Sequence, residues 1–315
     1  MRQRWTPAAI PPQAGKLAYI TGANSGVGLY AALELARAGC AVILACRNRK
    51  SAEMARVAIL GEAPQAEVEI ADLDLANLDS VRAAAQAFLA TGRGLDLLIN
   101  NAGVMAFPAR KTTAQGFEAQ FGTNHLGHFA LTGLLLPALL RPRSDEGNQP
   151  ARIITVSSIA HRGGTMDFSD LQWERAYRPW PAYRRSKLAN LLFGFELERR
   201  LERAQVPAMS IVVHPGVSQT NLFKAGPGSG GGVLAKVIPH FIELTAQSAM
   251  QGAWPTLFAA TSDAVRGGRY YGPDGFREMR GYPVEVRAEQ QAYDEVLAAQ
   301  LWQVSEQLTG VRYPL

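Results

Sequence analysis

The sequence predicts a doubly wound α/β domain, in which helices cover both faces of a parallel β-sheet. Short β-branched or apolar runs alternate along the chain with longer segments of helical period. The strand-like runs are apolar at successive positions, as expected for strands that are buried on both faces. A glycine-rich segment follows the first run, and no internal repeat or heptad pattern is present. We therefore expect one Rossmann-type domain over residues 1–315.

The elements follow one another in regular alternation. The apolar runs predict strands at 17–21, 41–45, 66–71, 95–99, 152–156 and 209–213. The helix-period segments predict helices at 26–38, 50–60, 77–90, 113–139 and 181–204. Residues 1–15 are predicted to form an N-terminal arm, and 283–310 a C-terminal helical extension packed on the sheet.

The composition is that of a globular protein. Of the 315 residues, 47% are hydrophobic and 19% are charged, which excludes a disordered or fibrous chain. The net charge of +5 is spread along the sequence rather than concentrated in a block. This pattern indicates either a solvated basic surface or affinity for phosphate-bearing ligands, and nothing in it indicates binding to nucleic acid.

Both cysteines flank one predicted strand. Cys40 and Cys46 would lie roughly 20 Å apart at ~3.3 Å per residue, too far for a disulfide between them. The N-terminal segment carries charge but no apolar run, and no apolar stretch approaches the ~20 residues that cross a bilayer. We expect a soluble, cytoplasmic protein without a membrane span.

The glycine-rich segment has the features of a dinucleotide-binding turn between the first strand and the first helix. Glycines there permit a tight turn and a close approach of the backbone to a pyrophosphate, while the helix N-terminus offers N–H groups to the phosphates. Close packing alone is the simpler interpretation of such a turn, but its place after the first strand of an alternating pattern favours a cofactor. The predicted cofactor-binding residues are Thr21, Gly22, Asn24, Ser25, Gly26, Val27 and Gly28.

The end of the second predicted strand bears on which nicotinamide cofactor is bound. An NAD enzyme places an acidic residue there to hold the ribose 2′-hydroxyl, but this chain has Arg47 and no acid before Glu53. A guanidinium binds a 2′-phosphate that a carboxylate would repel. We therefore expect NADP(H) to be preferred over NAD(H), with Arg47 as its ligand. Arg49 and Lys50 fit better with a solvated strand end.

Two further strand ends supply candidate cofactor contacts. Asp74 and Leu75 follow the third strand, where the carboxylate would lie near the adenine amine. Asn101, Ala102 and Gly103 follow the fourth. Ligands of doubly wound sheets bind beyond the carboxyl ends of the strands, so these residues are well placed.

Tyr183 and Lys187 begin a long predicted helix and lie four residues apart, on one face. A cation beside a phenol lowers its pKa from about 10 toward neutral pH, where an acid or base is most effective. The spacing alone is weak evidence, since it occurs by chance in many helices. Ser158, after the preceding strand, could hydrogen-bond the same substrate oxygen.

Taken together, these motifs closely resemble the classical short-chain dehydrogenase/reductase family from Lys16 to about Tyr271. The resemblance implies that Tyr183 is the acid/base and that Ser158 orients the carbonyl, with Ser157 structural. It implies that Lys187 binds the nicotinamide ribose and lowers the Tyr183 pKa, and that Asn124 holds a water linking Lys187 to solvent. The further cofactor contacts that it implies are Asn101, Pro215, Gly216, Val217 and Thr220.

The segment between Ser158 and Tyr183 is long, with 25 positions from one to the other, and contains two Trp. This form resembles the retinol dehydrogenase, WW-domain oxidoreductase and protochlorophyllide reductase branch. The resemblance implies NADP(H), a small apolar carbonyl or alcohol substrate and a homo-oligomer. The missing membrane anchor argues against a retinoid substrate.

Residues 224–245 combine a glycine-rich hinge with an apolar segment, which predicts a substrate lid; a flexible linker or ordinary core packing is the alternative. His125 and His128 lie three residues apart without a third ligand, so no metal site is expected.

The leading hypothesis is therefore an NADP(H)-dependent oxidoreductase. A catalytically silent cofactor sensor of the same fold is the first alternative. A nucleotide-sugar epimerase or dehydratase ranks last, because its glycine spacing differs.

Overall fold

The computed structural model describes residues 4–141, 149–217 and 247–315, and within them eight strands form one sheet. The strand order is β3-β2-β1-β4-β5-β6-β7-β8, parallel throughout except for the β7–β8 pair. The strands are β1 (Leu17–Thr21), β2 (Ala41–Cys46), β3 (Val68–Asp72), β4 (Leu97–Asn100), β5 (Ala151–Val156), β6 (Ala208–Val213), β7 (Tyr270–Pro273) and β8 (Pro283–Glu285).

Helices pack on both faces of the sheet. The α-helices are α1 (Gly26–Arg37), α2 (Arg49–Glu62), α3 (Leu78–Ala90), α4 (Ala119–Phe121), α5 (Gly127–Leu139), α6 (Pro179–Ala204), α7 (Ala249–Gly252), α8 (Trp254–Thr261) and α9 (Glu295–Thr309). A π-helical turn, Gly122–Leu126, joins α4 to α5, and short 3₁₀ turns lie at Pro7–Ala9, Ile159–His161, Phe276–Glu278 and Gln290–Tyr293. The predicted doubly wound architecture is confirmed.

Strand β1 shows why both faces of the sheet must be apolar. Leu17 and Tyr19 contribute to a core that includes α3, α5 and part of α6. Ala18 and Ile20 contribute to a second core that includes α1, α2 and α8. Alternate residues of one strand thus enter different cores, which explains the continuous apolar run in the sequence.

Strands β2 and β3 lie on one side of β1 in the sheet, and β4 to β8 lie on the other side. The crevice outside the carboxyl ends of β1 and β4 is therefore the topological switch point, where open α/β sheets bind ligands.

Cys40 and Cys46 are both buried free thiols, one just before β2 and one at its end. The N-terminal arm packs through Trp5, whose ring lies 5.5 Å from that of Phe258 on α8.

The prediction of a helix from residue 113 was wrong by about six positions. Thr113 and Phe117 are joined by a backbone hydrogen bond of 2.8 Å around Gly116, whose φ of 84° suits a turn. The Glu118 carboxylate then accepts hydrogen bonds from the amides of Gln120 and Phe121 and caps α4. A polar capping residue inside an apolar pattern therefore starts the helix later than its periodicity indicates.

The C-terminal extension is helical only in part. Residues 283–285 form β8, an antiparallel edge strand that the sequence analysis did not predict. The helix itself is α9, which begins where Asp294 accepts a hydrogen bond from the Leu297 amide and ends at Gly310 with a φ of 68°.

We expect Gly194→Ala to lower the free energy of unfolding by about 1–3 kcal/mol, the usual cost of overpacking a core. Gly194 lies where α6 packs on β6, and a Cβ there would overlap the Cγ2 atom of Val212. Gly61→Ala on α2 is the matched control, because a Cβ there meets no atom within 4 Å. It should raise stability by up to about 1 kcal/mol through helix propensity. Urea denaturation measures both, and equal effects would contradict the packing argument.

Candidate active site

A cavity of about 800 Å³ opens at the carboxyl ends of the parallel strands, at the switch point between β1 and β4. Most predicted site residues line it. They are Gly22, Asn24, Ser25, Gly26, Val27, Gly28, Arg47, Asp74, Leu75, Asn101, Ala102, Gly103, Ser158, Tyr183, Lys187, Pro215, Gly216 and Val217. Thr21 and Asn124 lie behind this lining. Thr220 and the predicted lid at 224–245 lie outside the described residues.

The glycine-rich turn has the geometry that a pyrophosphate site requires. Gly22 and Gly26 have φ values of 65° and 57°, which favour glycine. A Cβ at Gly28 would lie 2.7 Å from the Gly22 carbonyl oxygen, so the turn closes only with glycine there. Ser25 precedes α1 without a side-chain cap, and the first-turn amides of α1 lie along the cavity. Free N–H groups at a helix N-terminus bind phosphate, so these residues fit a dinucleotide.

Thr21 was predicted to contact the cofactor, but the structure places it behind the turn, fully buried. Its Oγ1 accepts hydrogen bonds from the Asn101 and Ala102 amides, both at 2.9 Å. The same oxygen lies 2.9 Å from Nε2 of His128, whose Nδ1 lies 2.9 Å from the Asn124 carbonyl oxygen. A carbonyl oxygen can only accept a hydrogen bond, so Nδ1 of His128 carries the proton. In a neutral imidazole Nε2 is then the acceptor, and the Thr21 hydroxyl donates to it. Thr21 therefore positions the residues that line the cavity.

Two arginines follow β2, Arg47 and Arg49, and they differ in their contacts. Arg49 donates to Asp72 at 3.0 Å and lies 3.8 Å from Glu53. Arg47 lines the cavity, is exposed and forms no ion pair within the described ranges. Asp74 faces the same cavity, and its Oδ1 accepts from the Ala76 amide at 3.0 Å.

Tyr183, Lys187 and Ser158 meet at the other end of the cavity. Ser158, which follows β5, lies close enough to the Tyr183 hydroxyl to lower its pKa. The Lys187 Nζ atom lies 5.9 Å from the Tyr183 ring centre and donates to the Val156 carbonyl at 3.1 Å. Ser157 turns away and donates to the Lys187 carbonyl at 2.7 Å, a structural contact.

The protonation of this group differs from the sequence-based expectation. Burial raises the pKa of Tyr183 to about 12, although the Ser158 side chain lowers it. Burial also lowers the pKa of Lys187 to about 8, because the interior disfavours the charged ammonium. The prediction that Lys187 lowers the Tyr183 pKa below its ordinary value was therefore wrong for these surroundings. Tyr183 is a protonated hydroxyl at neutral pH.

Asn124 lies in the π-helical turn rather than in a regular helix. Its Oδ1 accepts from the Val104 amide at 2.8 Å, and its Nδ2 donates to the Val104 carbonyl and to Ser186, each at 2.9 Å. A Cβ at Gly103 would lie 3.3 Å from the Asn124 Oδ1 and 3.6 Å from the Lys187 Nζ. Asn124 thus holds the segment after β4 beside Lys187, while its predicted water link stays a prediction.

The comparisons with known proteins agree with this geometry. The sequence profile of the short chain dehydrogenase family matches residues 16–226. Human retinol dehydrogenase 13 is 40% identical, over 98% of this chain and 90% of that protein. Mouse polyprenol dehydrogenase is 38% identical, over 98% and 88%. A crystal structure of an uncharacterized protein from Mycobacterium paratuberculosis has a TM-score of 0.80 and 41% identity, and the match covers 99% of this chain and 100% of that one.

The chain belongs to the short-chain dehydrogenase/reductase family. It is an oxidoreductase, and the resemblance to the retinol dehydrogenase branch is confirmed. The structure of levodione reductase, at 20% identity and a TM-score of 0.64, shares the fold.

No group of three or more His, Cys, Asp or Glu in the described ranges could hold a metal ion. His125 instead contacts the Ser305 hydroxyl at 2.8 Å. Across the same ranges, none of the helices has both the length and the hydropathy needed to cross a bilayer.

Sequence reasoning missed the apolar side chains around Tyr183. Met105 and Ala106 form a buried cluster with Tyr183, and the Trp180 ring lies 6.1 Å from the Tyr183 ring. Phe107 and Met279 line the same cavity. The aromatic content of the segment before Tyr183 could have indicated Trp180. Met279 follows β7, and no pattern in the sequence places it here.

The segment that contains Met279 contacts the chain just beyond the end of β6. The Met279 carbonyl accepts from the Val217 amide at 2.8 Å. Beside it, Glu278 has a φ of 59°, contacts Nε2 of His214 at 3.2 Å and accepts from Arg162 at 2.7 Å. His214 Nδ1 accepts from the Gly216 amide at 3.2 Å. Glu278 therefore joins two cavity walls, one carrying Met279 and one carrying Arg162.

We expect Glu278→Gln to raise the substrate KM about 2- to 5-fold with a smaller change in kcat, because a partly exposed ion pair contributes up to about 1 kcal/mol. The amide keeps the size of the side chain but loses the charge that holds Arg162. Steady-state kinetics measures both constants. Glu285→Gln, which changes an exposed pair with Arg269 on the edge strand, is the control. An unchanged KM would contradict the positioning role.

Proposed function

We propose that the protein is an NADP(H)-dependent oxidoreductase that interconverts a carbonyl and an alcohol on an apolar substrate, with Tyr183 as the acid/base. One observation carries this proposal. A single cavity joins a glycine turn suited to pyrophosphate with the Tyr183–Ser158–Lys187 group.

The residues around Tyr183 can hold and move one proton. When bound, the nicotinamide would supply or accept the hydride. In the reducing direction, the protonated Tyr183 hydroxyl donates to the carbonyl oxygen, and the Ser158 hydroxyl orients that oxygen. Lys187 would hold the nicotinamide ribose, while Asn124 keeps the segment after β4 beside it.

Two features support the choice of NADP(H). No acidic residue stands at the end of β2, and Arg47 is the cation there that lines the cavity and has no ion pair within the described ranges. Guanidinium donors are suited to a 2′-phosphate. Asp74, which follows β3, would contact the adenine.

Met105, Phe107, Trp180 and Met279 support an apolar substrate, since they surround Tyr183 with hydrophobic surface. Retinol and polyprenol, named in the relatives' activities, are both apolar alcohols. The cytoplasmic location and the homo-oligomer stay predictions.

The test is an assay of the purified protein with a panel of apolar aldehydes, ketones and alcohols, including retinal and retinol. NADPH oxidation with a carbonyl, or NADP⁺ reduction with an alcohol, supports the proposal. NADPH binding without turnover of any panel member would favour the cofactor-sensor alternative. The complete Ser158–Tyr183–Lys187 group argues against that alternative, because a sensor has no use for it.

A further inference from the structure

The charged side chains that line the cavity can be sorted by what they contact. They are Arg47, Asp74, Arg162, Arg184 and Lys187. Lys187 donates to a backbone carbonyl, Asp74 accepts from a backbone amide, and Arg162 pairs with Glu278. Arg47 lies at the dinucleotide end, where a 2′-phosphate would neutralise it. Arg184 remains without an ion pair in the described parts of the chain.

Arg184 lies at the substrate end of the cavity. It follows Tyr183 on α6, and its Nη1 atom would lie 3.5 Å from a Cβ at Gly163. The guanidinium therefore lies beside the turn that follows Arg162, on the Tyr183 side and away from Arg47. The Arg184 side chain is exposed, so a ligand can reach it without displacing protein.

The neighbouring Arg185 differs from Arg184 in both its burial and its contacts. Arg185 is buried, donates to the carbonyl oxygens of Thr165 and Asp170, and lies 4.2 Å from the Trp173 ring. Arg185 thus stabilises the fold. Within the described parts of the chain Arg184 makes no such contacts and has no ion pair, and it shares the cavity with the apolar side chains of Met105, Phe107 and Trp180.

We propose that Arg184 binds an anionic group of the substrate, so that the substrate is amphipathic, with an apolar body beside Met105, Phe107 and Trp180 and a carboxylate or phosphate at Arg184. A guanidinium fork matches both anions in geometry and charge. This inference rests on the proposed carbonyl–alcohol activity and narrows its substrate class. Purely neutral apolar substrates would leave this charge unused at the cavity rim.

The experiment compares matched aldehydes of increasing chain length. Each length is tested as the ω-oxo acid, as its neutral methyl ester and as the aldehyde that carries a phosphate monoester. At low salt we expect the wild-type kcat/KM to favour an anionic form over the ester by about 5-fold, the scale of an exposed ion pair. Arg184→Gln should bring this ratio to about one, and added salt should reduce it in the wild type. The acid and phosphate arms show which anion fits.

Arg203→Gln is the matched control, since Arg203 is an exposed arginine of the same helix that does not line the cavity. It should keep the wild-type ratio. An equal ratio in the wild type and Arg184→Gln would overturn the inference, as would an equal loss of kcat/KM for anionic and neutral forms in that variant. Turnover of the esters without any preference for the anions defeats the inference but leaves the proposed activity intact.

A binding measurement decides the matter even without turnover. Calorimetry with a saturated fatty acid and NADP⁺ should show weaker binding to Arg184→Gln than to Arg203→Gln, by about the same 5-fold. Equal affinities would overturn the inference.

Discussion

The Tyr183→Phe variant should lose at least about a hundredfold in kcat, the lower end of what general acid–base catalysis contributes. Phenylalanine keeps the ring that shares a buried cluster with Met105 but removes the hydroxyl that lies beside Ser158. Cofactor affinity, measured by calorimetry, should stay close to that of the wild type. Tyr30→Phe on α1 is the control, because Tyr30 does not line the cavity. Wild-type turnover in Tyr183→Phe would contradict the mechanism.

The same hydroxyl sets the expected pH dependence. Because burial raises the pKa of Tyr183 to about 12, the hydroxyl stays protonated through neutral pH and serves as the acid in carbonyl reduction. Alcohol oxidation requires the phenolate as base, whose fraction grows as the pH rises toward that pKa. The oxidation rate should therefore rise with pH across the neutral to alkaline range, and Tyr183→Phe should abolish the rise.

The wild-type protein should bind NADPH more tightly than NADH, and Arg47→Ala should weaken NADPH binding by about 10- to 100-fold. Hydrogen bonds to charged groups contribute roughly 1.5–3 kcal/mol, which corresponds to this range. NADH affinity should change little, because NADH has no 2′-phosphate for Arg47 to contact. Calorimetry on the free protein measures all four affinities.

Arg49→Ala supplies the control for that measurement. Arg49 has the same side chain two positions away, but it is paired with Asp72 and Glu53. Its replacement should leave the ratio of NADPH to NADH affinity almost unchanged. Equal wild-type affinities for the two cofactors, or an equal loss in both variants, would show that Arg47 does not bind the 2′-phosphate.

The sequence predicted those parts of the fold that depend on local pattern. Strand β1 matches its predicted bounds at both ends, because its apolar residues at successive positions require burial on both faces. The late start of α4 was missed, since the apolar pattern continues through a turn that the Glu118 cap determines. Strand β8 was missed because three residues pairing at an edge leave little periodic signal.

The candidate site likewise contains some residues that the sequence predicted and others that it did not. Residues at the carboxyl ends of parallel strands, such as Gly22 and Asn101, were predictable, because the topology brings those ends together. Met279 was not, since its position depends on a backbone contact with Val217 across the sheet. The direction of the Tyr183 pKa was not predictable either. It depends on how completely the folded chain removes water from the hydroxyl.

The buried hydrogen bonds through Thr21, His128 and Asn124 determine how substitutions along them combine in their effect on stability. One continuous chain of donors and acceptors runs from the amides that follow β4 to the turn that holds Asn124 beside Lys187. Burial lowers the pKa of His128 to about 4, so this relay keeps a neutral imidazole and a fixed direction of donation at ordinary pH. Substitutions at its two ends should then be energetically coupled rather than additive. A redesign of this molecule therefore has to treat the segment after β4 and the turn that carries Asn124 as one unit.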